Sequence, residues 1–167
     1  AAALFLTALH QAGAFAAASR GAFDLLSTLS PPRPDQPGAV IVAIDEPSFS
    51  VLGKAWPWPR DVHARLIQSL RRAGARTIGF DVVFADPTNA AADAALASAT
   101  DSHMVLGTDE TVAETPQGSM LVTTEPVPVL ATRGARLGVT SVSVDPDGVV
   151  RRVPTYPNSF ASRFLST

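Results

Sequence analysis

The stretch RDVHARLIQSLRRAGARTIGFDVVF, residues 60–84, joins a helix pattern to a strand pattern and decides the fold class of the chain. Gly74 follows the helix pattern at the position where a left-handed glycine commonly ends a helix. The apolar, partly β-branched run 77–84 then predicts a buried strand. The helix prediction, for residues 60–73, rests on apolar side chains that share one face, namely Val62, Leu66, Ile67 and Leu70.

The segments on either side continue the alternation of strands and helices. Residues 39–44 form a short apolar run, which predicts a first buried strand. Residues 90–100 predict an alanine-rich helix, and residues 104–107 predict a third strand. This order of strands and helices is typical of a parallel βαβ core.

The C-terminal half is rich in strand patterns separated by turn signals. Residues 110–118 are polar and predict a loop or a hairpin tip, and residues 119–124 predict a strand. The sequence Asp145-Pro146-Asp147-Gly148 is a strong turn signal between the runs 138–144 and 149–153, which together predict a hairpin. We therefore predict an α/β fold: a mixed sheet with a parallel βαβ core, an antiparallel β-rich C-terminal half and a long N-terminal helix.

Prolines mark the boundary between the N-terminal helix and the α/β domain. Residues 30–38 hold four prolines, which exclude helix and central strand and predict a stiff linker. Residues 1–29 are predicted to form a membrane-proximal helix, and residues 39–167 an α/β domain that we expect to be truncated at its C-terminus. Residues 1–19 carry no formal charge and are mostly apolar, although His10, Gln11 and Gly13 interrupt the centre, which predicts the tail of a membrane helix or a helix just outside the membrane. The alternative is a surface or dimerising helix of a soluble protein.

Composition narrows the classes of partner and cofactor. Hydrophobic residues make up 46% and charged residues 17%, which suits one domain with a buried core. The net charge is −2 without a basic stripe, so we expect no nucleic-acid partner. The absence of cysteine excludes disulfides and thiolate metal sites. His10, His63 and His103 lack ligand spacing and are predicted to be surface or hydrogen-bonded residues, so we expect no cofactor and no metal.

Carboxylates follow both predicted strands of the parallel core. Asp45 and Glu46 follow the first strand, and Asp81 and Asp86 lie in or after the second. The carboxyl ends of parallel strands meet at one edge of a sheet. The four carboxylates could therefore bind a cation there, or cap helices and hold loops.

The most distinctive segment is Trp56-Pro57-Trp58-Pro59-Arg60. Two indoles between prolines make a preformed apolar surface that suits a ligand pocket or a partner groove, and Arg60 can bind a carboxylate or phosphate with two parallel hydrogen bonds. The structural alternative is a loop folded onto its own core, with Arg60 paired to Asp45 or Asp81. We favour this alternative, because buried charges are usually paired within their own chain.

The predicted C-terminal hairpin supplies a second candidate cluster. Asp147 and Gly148 form its turn, and Gly148 is expected to adopt a positive φ. Arg151 and Arg152 follow on opposite faces of the predicted strand. One of the two arginines is therefore expected to point inward and to need a carboxylate partner.

The sequence lacks residues that the enzyme classes it partly resembles would require. Residues 80–87 are similar to the catalytic strand of amino-methyltransferases, but Thr88 and Asn89 follow, and the aromatic residue that would stack on the target base is missing. No Gly-rich loop follows the first strand, and hydrolase motifs are also missing. We predict no catalytic residues in this chain and keep a degenerate cytosolic methyltransferase as an alternative.

Five segments, in order, resemble the second CHASE-type family of bacterial sensor domains. They are residues 42–46, 56–60, 66–74, 78–84 and 147–152. Phe23-Asp24-Leu25-Leu26 is similar to the N-terminal helix of that family, so the resemblance covers about residues 23–154.

The resemblance implies a role in signalling. Members are extracytoplasmic sensory domains of bacterial adenylate cyclases, histidine kinases and serine/threonine kinases, with membrane helices on either side and a cytoplasmic output module. It implies a periplasmic or extracellular location at the inner membrane, membrane anchoring in the full-length protein, and an unknown small-molecule or protein stimulus. We predict a homodimer through the N-terminal helix. A periplasmic binding or scaffold module without a signalling role is the remaining alternative.

Overall fold

The computed structural model describes residues 13–30 and 38–167. The chain divides into two compact units, Ala1–Asp45 and Glu46–Thr167. Several helices accompany a sheet of mostly parallel strands, so the predicted mixed α/β fold class is confirmed.

The N-terminal unit contains helix α1, Ala14–Leu29. The helix follows Gly13, which has a φ of +70°, and ends where the Ser30 N–H donates to the Leu26 carbonyl over 2.9 Å. The predicted N-terminal helix covers residues 1–29, of which residues 1–12 lie outside the described residues, as does most of the predicted linker. Among the helices of residues 13–30 and 38–167, none combines the length and the apolar character that a membrane crossing requires.

The prediction of a first buried strand at residues 39–44 is wrong. The structure has no strand there, and Val40 and Ile41 are 87% and 93% exposed. A β-branched run favours extended backbone, but a strand also needs a neighbouring strand for its hydrogen bonds. The local pattern does not specify that neighbour.

The C-terminal unit alternates helices and strands. Its helices are α2 (Glu46–Leu52), α3 (Arg60–Arg72), α4 (Ala90–Ala99) and α5 (Phe160–Leu165). Its strands are β1 (Ile78–Phe80), β2 (Met104–Thr115), β3 (Gly118–Thr124) and β4 (Arg136–Val139), with a 3₁₀ turn at Pro128–Ala131.

Strand β2 organises the sheet. Its first half pairs in parallel with β1 and with β4, so β1, α4 and β2 form the parallel βαβ core that the sequence predicts. Its second half pairs antiparallel with β3, from Asp109 opposite Thr124 to Thr115 opposite Gly118. The β2–β3 ribbon is therefore a continuation of the central strand of the sheet.

Helices cover both faces of the parallel part of the sheet. Helices α3 and α4 pack on one face, around Ile67, Leu96 and Leu106, which are at most 1% exposed. Helix α5 packs on the other face, where Gly138 of β4 permits a close approach. A Cβ atom at Gly138 would lie 2.7 Å from the Cα of Phe160, so a side chain there would collide with the helix backbone.

The C-terminal half forms a hairpin other than the predicted one. The antiparallel pair is β2–β3: of residues 110–118, predicted to be a loop or a hairpin tip, residues 110–115 are strand and the hairpin tip lies between Thr115 and Gly118. At the predicted hairpin the turn is present, since the Gly148 N–H donates to the Asp145 carbonyl over 2.8 Å, but residues 140–153 contain no strand. The valines at positions 142, 144, 149, 150 and 153 are exposed, because alternation alone supplies neither a pairing strand nor a face to pack on.

Candidate functional site

The loop at residues 56–60 connects α2 to α3 and buries one of its two tryptophans. Trp58 is buried, and its Nε1 donates to the Lys54 carbonyl over 3.1 Å, whereas Trp56 is 46% exposed. Pro59 precedes α3 with a φ of −54° and so directs the chain into the first helical turn. The loop thereby places Arg60 at the start of α3, where its side chain is buried.

Arg60 is a buried cation whose partner lies on another helix. The residue is 5% exposed, and its Nε lies 3.0 Å from Oδ1 of Asp93 on α4. Its Nη2 donates to the Asp86 carbonyl, and its Cζ lies 4.6 Å from the ring centroid of Phe84. Its Nη1 is buried and has no hydrogen-bond partner within the described residues. These contacts join the first turn of α3 to α4 and to the segment between β1 and α4.

Hydrogen bonds from Thr88 hold the other half of the ion pair. The Thr88 N–H donates to Asp93 Oδ2 over 2.9 Å, and the Thr88 hydroxyl donates to Oδ1 over 2.8 Å. Burial is the largest influence on the pKa of Asp93 and acts to raise it, but the Thr88 hydrogen bonds and the Arg60 guanidinium outweigh burial, and the pKa lies below its ordinary value. Burial lowers the pKa of Arg60, and Asp93 opposes that effect. The lowered pKa keeps the Asp93 carboxylate ionised at neutral pH.

An aromatic cluster lies beside the ion pair, with His63 in its centre. The His63 ring centroid is 5.2 Å from that of Phe84, and the other rings around it are 5.8 to 6.0 Å away. Phe49 extends the cluster through an edge contact with Trp58 at 5.5 Å. The rings around His63 belong to Trp56, Trp58, Phe80 and Phe84.

His63 is a buried and neutral histidine. It is 2% exposed, and within the described residues its Nδ1 has no hydrogen-bond partner. Burial and the charge of Arg60 lower its pKa, and Asp61 opposes them. His63 is therefore not the predicted surface histidine, and its Nδ1 makes no hydrogen bond within the described residues.

The four carboxylates predicted at the ends of the strands belong to different elements of the two units. Asp45 ends the N-terminal unit, Glu46 begins α2, Asp81 follows β1, and the Asp86 carbonyl accepts a hydrogen bond from Arg60. Within the described ranges, no group of three or more His, Asp or Glu residues is arranged to hold a metal ion. The structure pairs Arg60 with Asp93 instead of the exposed Asp81.

The turn after β4 contains a second ion-pair cluster. Arg151 has an 8% exposed side chain and donates to Asp145 and to both carboxylate oxygens of Asp147, each over 2.8 Å. The Arg151 hydrogen bond is the main cause that lowers the pKa of Asp147 to about 2. Gly148 has a φ of +81°, which suits glycine in this turn, while Arg152 is exposed. Of the two neighbouring arginines, Arg151 is the one that stabilises the turn.

Sequence reasoning missed Asp93, Thr88 and the burial of His63. Asp93 lies in an alanine-rich helix and belongs to no motif, so only the packing of α4 against α3 identifies it as the partner of Arg60. His63 did carry a signal, because it follows Arg60 by three residues and so shares its helix face.

The fold and the site define a small mixed α/β domain in which the distinctive loop is held in place by an ion pair and an aromatic cluster of its own chain. The model of the CHASE2 domain family matches residues 1–166, and the chain belongs to that family. CHASE2 domains are extracytoplasmic sensor domains rather than catalytic domains, so the resemblance noted in the sequence is confirmed. No curated protein and no solved structure matches the chain.

Proposed function

We propose that the chain is the sensing part of a membrane-anchored receptor that works as a homodimer. A stimulus outside the cytoplasm changes the packing of two copies, and the change controls a cytoplasmic output module, a cyclase or a kinase. Membership of an extracytoplasmic sensor family supports the sensing role. The observation that carries the dimer proposal is the surface of α1.

Helix α1 presents large apolar side chains to solvent. Phe15, Phe23 and Leu26 are 52%, 50% and 65% exposed. At 100° per residue these three side chains fall within one broad stripe, whereas Ala17 lies on the opposite side of the helix. An apolar stripe of this kind favours burial against a second helix, and the same stripe of a second copy is the partner we propose.

A sensing role also sets an energetic requirement. A stimulus shifts the equilibrium between two dimer arrangements only if it binds one arrangement more tightly than the other. A shift from about 1:99 to 99:1 requires a difference of about 10⁴-fold in affinity. The stimulus site must therefore change shape or composition between the two arrangements.

Matched charge substitutions on α1 test the dimer. We expect Leu26→Glu to weaken self-association by tenfold or more, about 1.4 kcal/mol, because it places a charge within the apolar stripe. Ala17→Glu is the control, because it adds the same charge to the opposite side of the helix. Deletion of residues 1–19 should also weaken self-association, while the α/β domain stays folded. Sedimentation at equal concentration measures the self-association of each variant, and circular dichroism checks that each variant is folded. Equal oligomeric states for the parent, the deletion and Leu26→Glu would contradict the proposal.

The coding sequence downstream of Thr167 distinguishes this proposal from its alternatives. Membrane helices followed by a cyclase or kinase would support a receptor, whereas a stop codon would favour a binding or scaffold module without a signalling role. A degenerate methyltransferase is disfavoured, because the family consists of sensor domains. Specific binding of S-adenosylmethionine together with methyl-transfer activity would support the methyltransferase alternative instead.

A further inference from the structure

An open cleft lies between the β2–β3 ribbon and the segment that follows β4. Its volume is about 320 Å³, and Glu110 and Leu121 of the ribbon line one side of it. The opposite side includes Val142, Arg152 and Tyr156. All of these residues belong to the C-terminal unit, and the cleft is separate from the Arg60 cluster.

The register of the ribbon explains how a charge and an apolar group come to share one wall. Glu110 pairs with Thr123, and Leu121 pairs with Val112. Because side chains alternate along a strand, Glu110 and Leu121 lie on the same face of the ribbon as diagonal neighbours. The carboxylate and the apolar surface are therefore presented side by side.

Hydrogen bonds at its base hold the cleft together. The Glu110 N–H donates to the Ser141 hydroxyl over 2.9 Å, and that hydroxyl donates to Asp109 Oδ1 over 2.6 Å. The Thr140 N–H donates to the Thr108 carbonyl over 2.9 Å. These bonds fix the ribbon against the segment after β4, so the two walls form one preorganised surface.

Two residues of opposite charge, Glu110 and Arg152, line the cleft. In the part of the chain that the structure describes, the Glu110 carboxylate and the Arg152 guanidinium make no hydrogen bond or ion pair. The neighbouring Arg151, by contrast, is bound by Asp145 and Asp147. Of these two consecutive arginines, Arg151 is bound by carboxylates of its own chain, whereas Arg152 lines the cleft and can bind a ligand.

We propose that this cleft binds a small zwitterion, an α-amino acid with an apolar side chain. Arg152 binds the carboxylate, Glu110 binds the ammonium group, and the side chain packs against Leu121, Val142 and Val153. The volume lies at the lower end of the range for ligand sites, about 300–1,000 Å³, which favours one amino acid over a larger ligand. This inference rests on the proposed sensing function, since it names the chemical class of the stimulus.

Calorimetry with L-leucine and two analogues tests the proposal on the 167-residue chain. Leucinamide lacks the carboxylate, and N-acetylleucine lacks the ammonium group. We expect L-leucine to bind at least about tenfold more tightly than either analogue, because each analogue loses one charge-assisted contact. No binding at about 10 mM L-leucine, or equal binding of all three compounds, would overturn the proposal.

Charge-neutralising variants assign each contact. In Arg152→Gln the advantage of L-leucine over leucinamide should disappear, and in Glu110→Gln its advantage over N-acetylleucine should disappear. Loss of folding cannot produce this crossed pattern, and unchanged preferences in both variants would overturn the assignment. Arg133→Gln and Glu114→Gln are the controls, because Arg133 donates to the Ser98 carbonyl and Glu114 accepts from Ser119, both outside the cleft.

The two proposals can fail separately. If Leu26→Glu dissociates the dimer but L-leucine does not bind, the receptor proposal stands and the zwitterion site fails. If L-leucine binds with the crossed pattern but leaves the output of the full-length receptor unchanged, the site stands and its role as the stimulus site fails.

Discussion

Replacing Arg60 with alanine should destabilise the domain by about 3–5 kcal/mol, because it leaves the buried Asp93 carboxylate without its cation. The side chains of Arg60 and Asp93 are only 6% and 11% exposed, so water cannot fully replace the guanidinium. Loss of the contact with Phe84 adds about 0.5–2 kcal/mol. Asp93 keeps two hydrogen bonds from Thr88, which places the total within the stated range rather than above it.

Thermal and urea unfolding measure this effect. For a chain of this size 1 kcal/mol corresponds to about 2–4 °C, so Tm should fall by roughly 6–20 °C. Arg65→Ala is the matched control, because Arg65 lies on the same helix and pairs with Asp61 over 3.1 Å, but is 66% exposed. Arg65→Ala should lower the free energy of unfolding by at most about 1 kcal/mol.

The pH dependence gives an independent check of the mechanism. Asp93 has a lowered pKa in the folded chain, so its contribution to stability is present above the ordinary carboxyl pKa and is lost as pH falls through the folded value. Without Arg60, burial should raise the Asp93 pKa, and protonation should relieve the unpaired charge. The difference in stability between parent and Arg60→Ala should therefore shrink as pH falls from the raised Asp93 pKa of the variant to the lowered Asp93 pKa of the parent.

An Arg60→Ala domain that melts like the parent would refute this reasoning. It would mean that the ion pair contributes little to the fold. If a full-length receptor carrying the same substitution also stopped responding, the loop at residues 56–60 would be better explained as a ligand site.

Three further predictions concern the turn and the sheet. Gly148→Val should destabilise the domain by about 1 kcal/mol or more, measured as a lower Tm, because a β-branched residue would have to adopt a φ of +81°. Gly138→Ala should cost about 1–3 kcal/mol in urea unfolding, because its Cβ would lie 2.7 Å from the Phe160 Cα. Arg151→Gln should raise the pKa of Asp147 from about 2 towards the ordinary value of about 3.9 in an NMR titration, because the hydrogen bond from Arg151 is the main cause of the lowering.

Each of these predictions has a control within the same chain. Asn tolerates a left-handed backbone, so Gly148→Asn should be milder than the valine variant. Gly21→Ala lies in α1, where nothing within 4 Å would meet the added Cβ, and should be neutral or stabilising. Arg152→Gln should leave the Asp147 pKa unchanged. A valine variant as stable as the parent, a tolerated alanine at Gly138, or an Asp147 pKa that stays low in Arg151→Gln would each contradict its prediction.

Local patterns in the sequence predicted the elements that depend on local physics. Apolar spacing between residues 60 and 73 anticipated α3, and Gly74 adopts the left-handed conformation expected after it, with a φ of +91°. The alanine-rich run predicted α4, and Asn89 begins that helix by accepting hydrogen bonds from the N–H groups of Ala91 and Ala92. Together with the Trp-Pro-Trp-Pro-Arg segment, these signals were enough to indicate the fold class and the family.

Only the tertiary structure decided which groups meet. It excluded a strand at residues 39–44, extended β2 through residues 110–115 of the predicted loop or hairpin tip, buried His63 and gave Arg60 its partner on α4. Helical spacing, turns and caps are set by neighbours within a few residues, so they can be read along the chain. Strand pairing and ion pairing join residues that are far apart in sequence, and the partner is selected by the packing of whole elements, which no short stretch of sequence encodes.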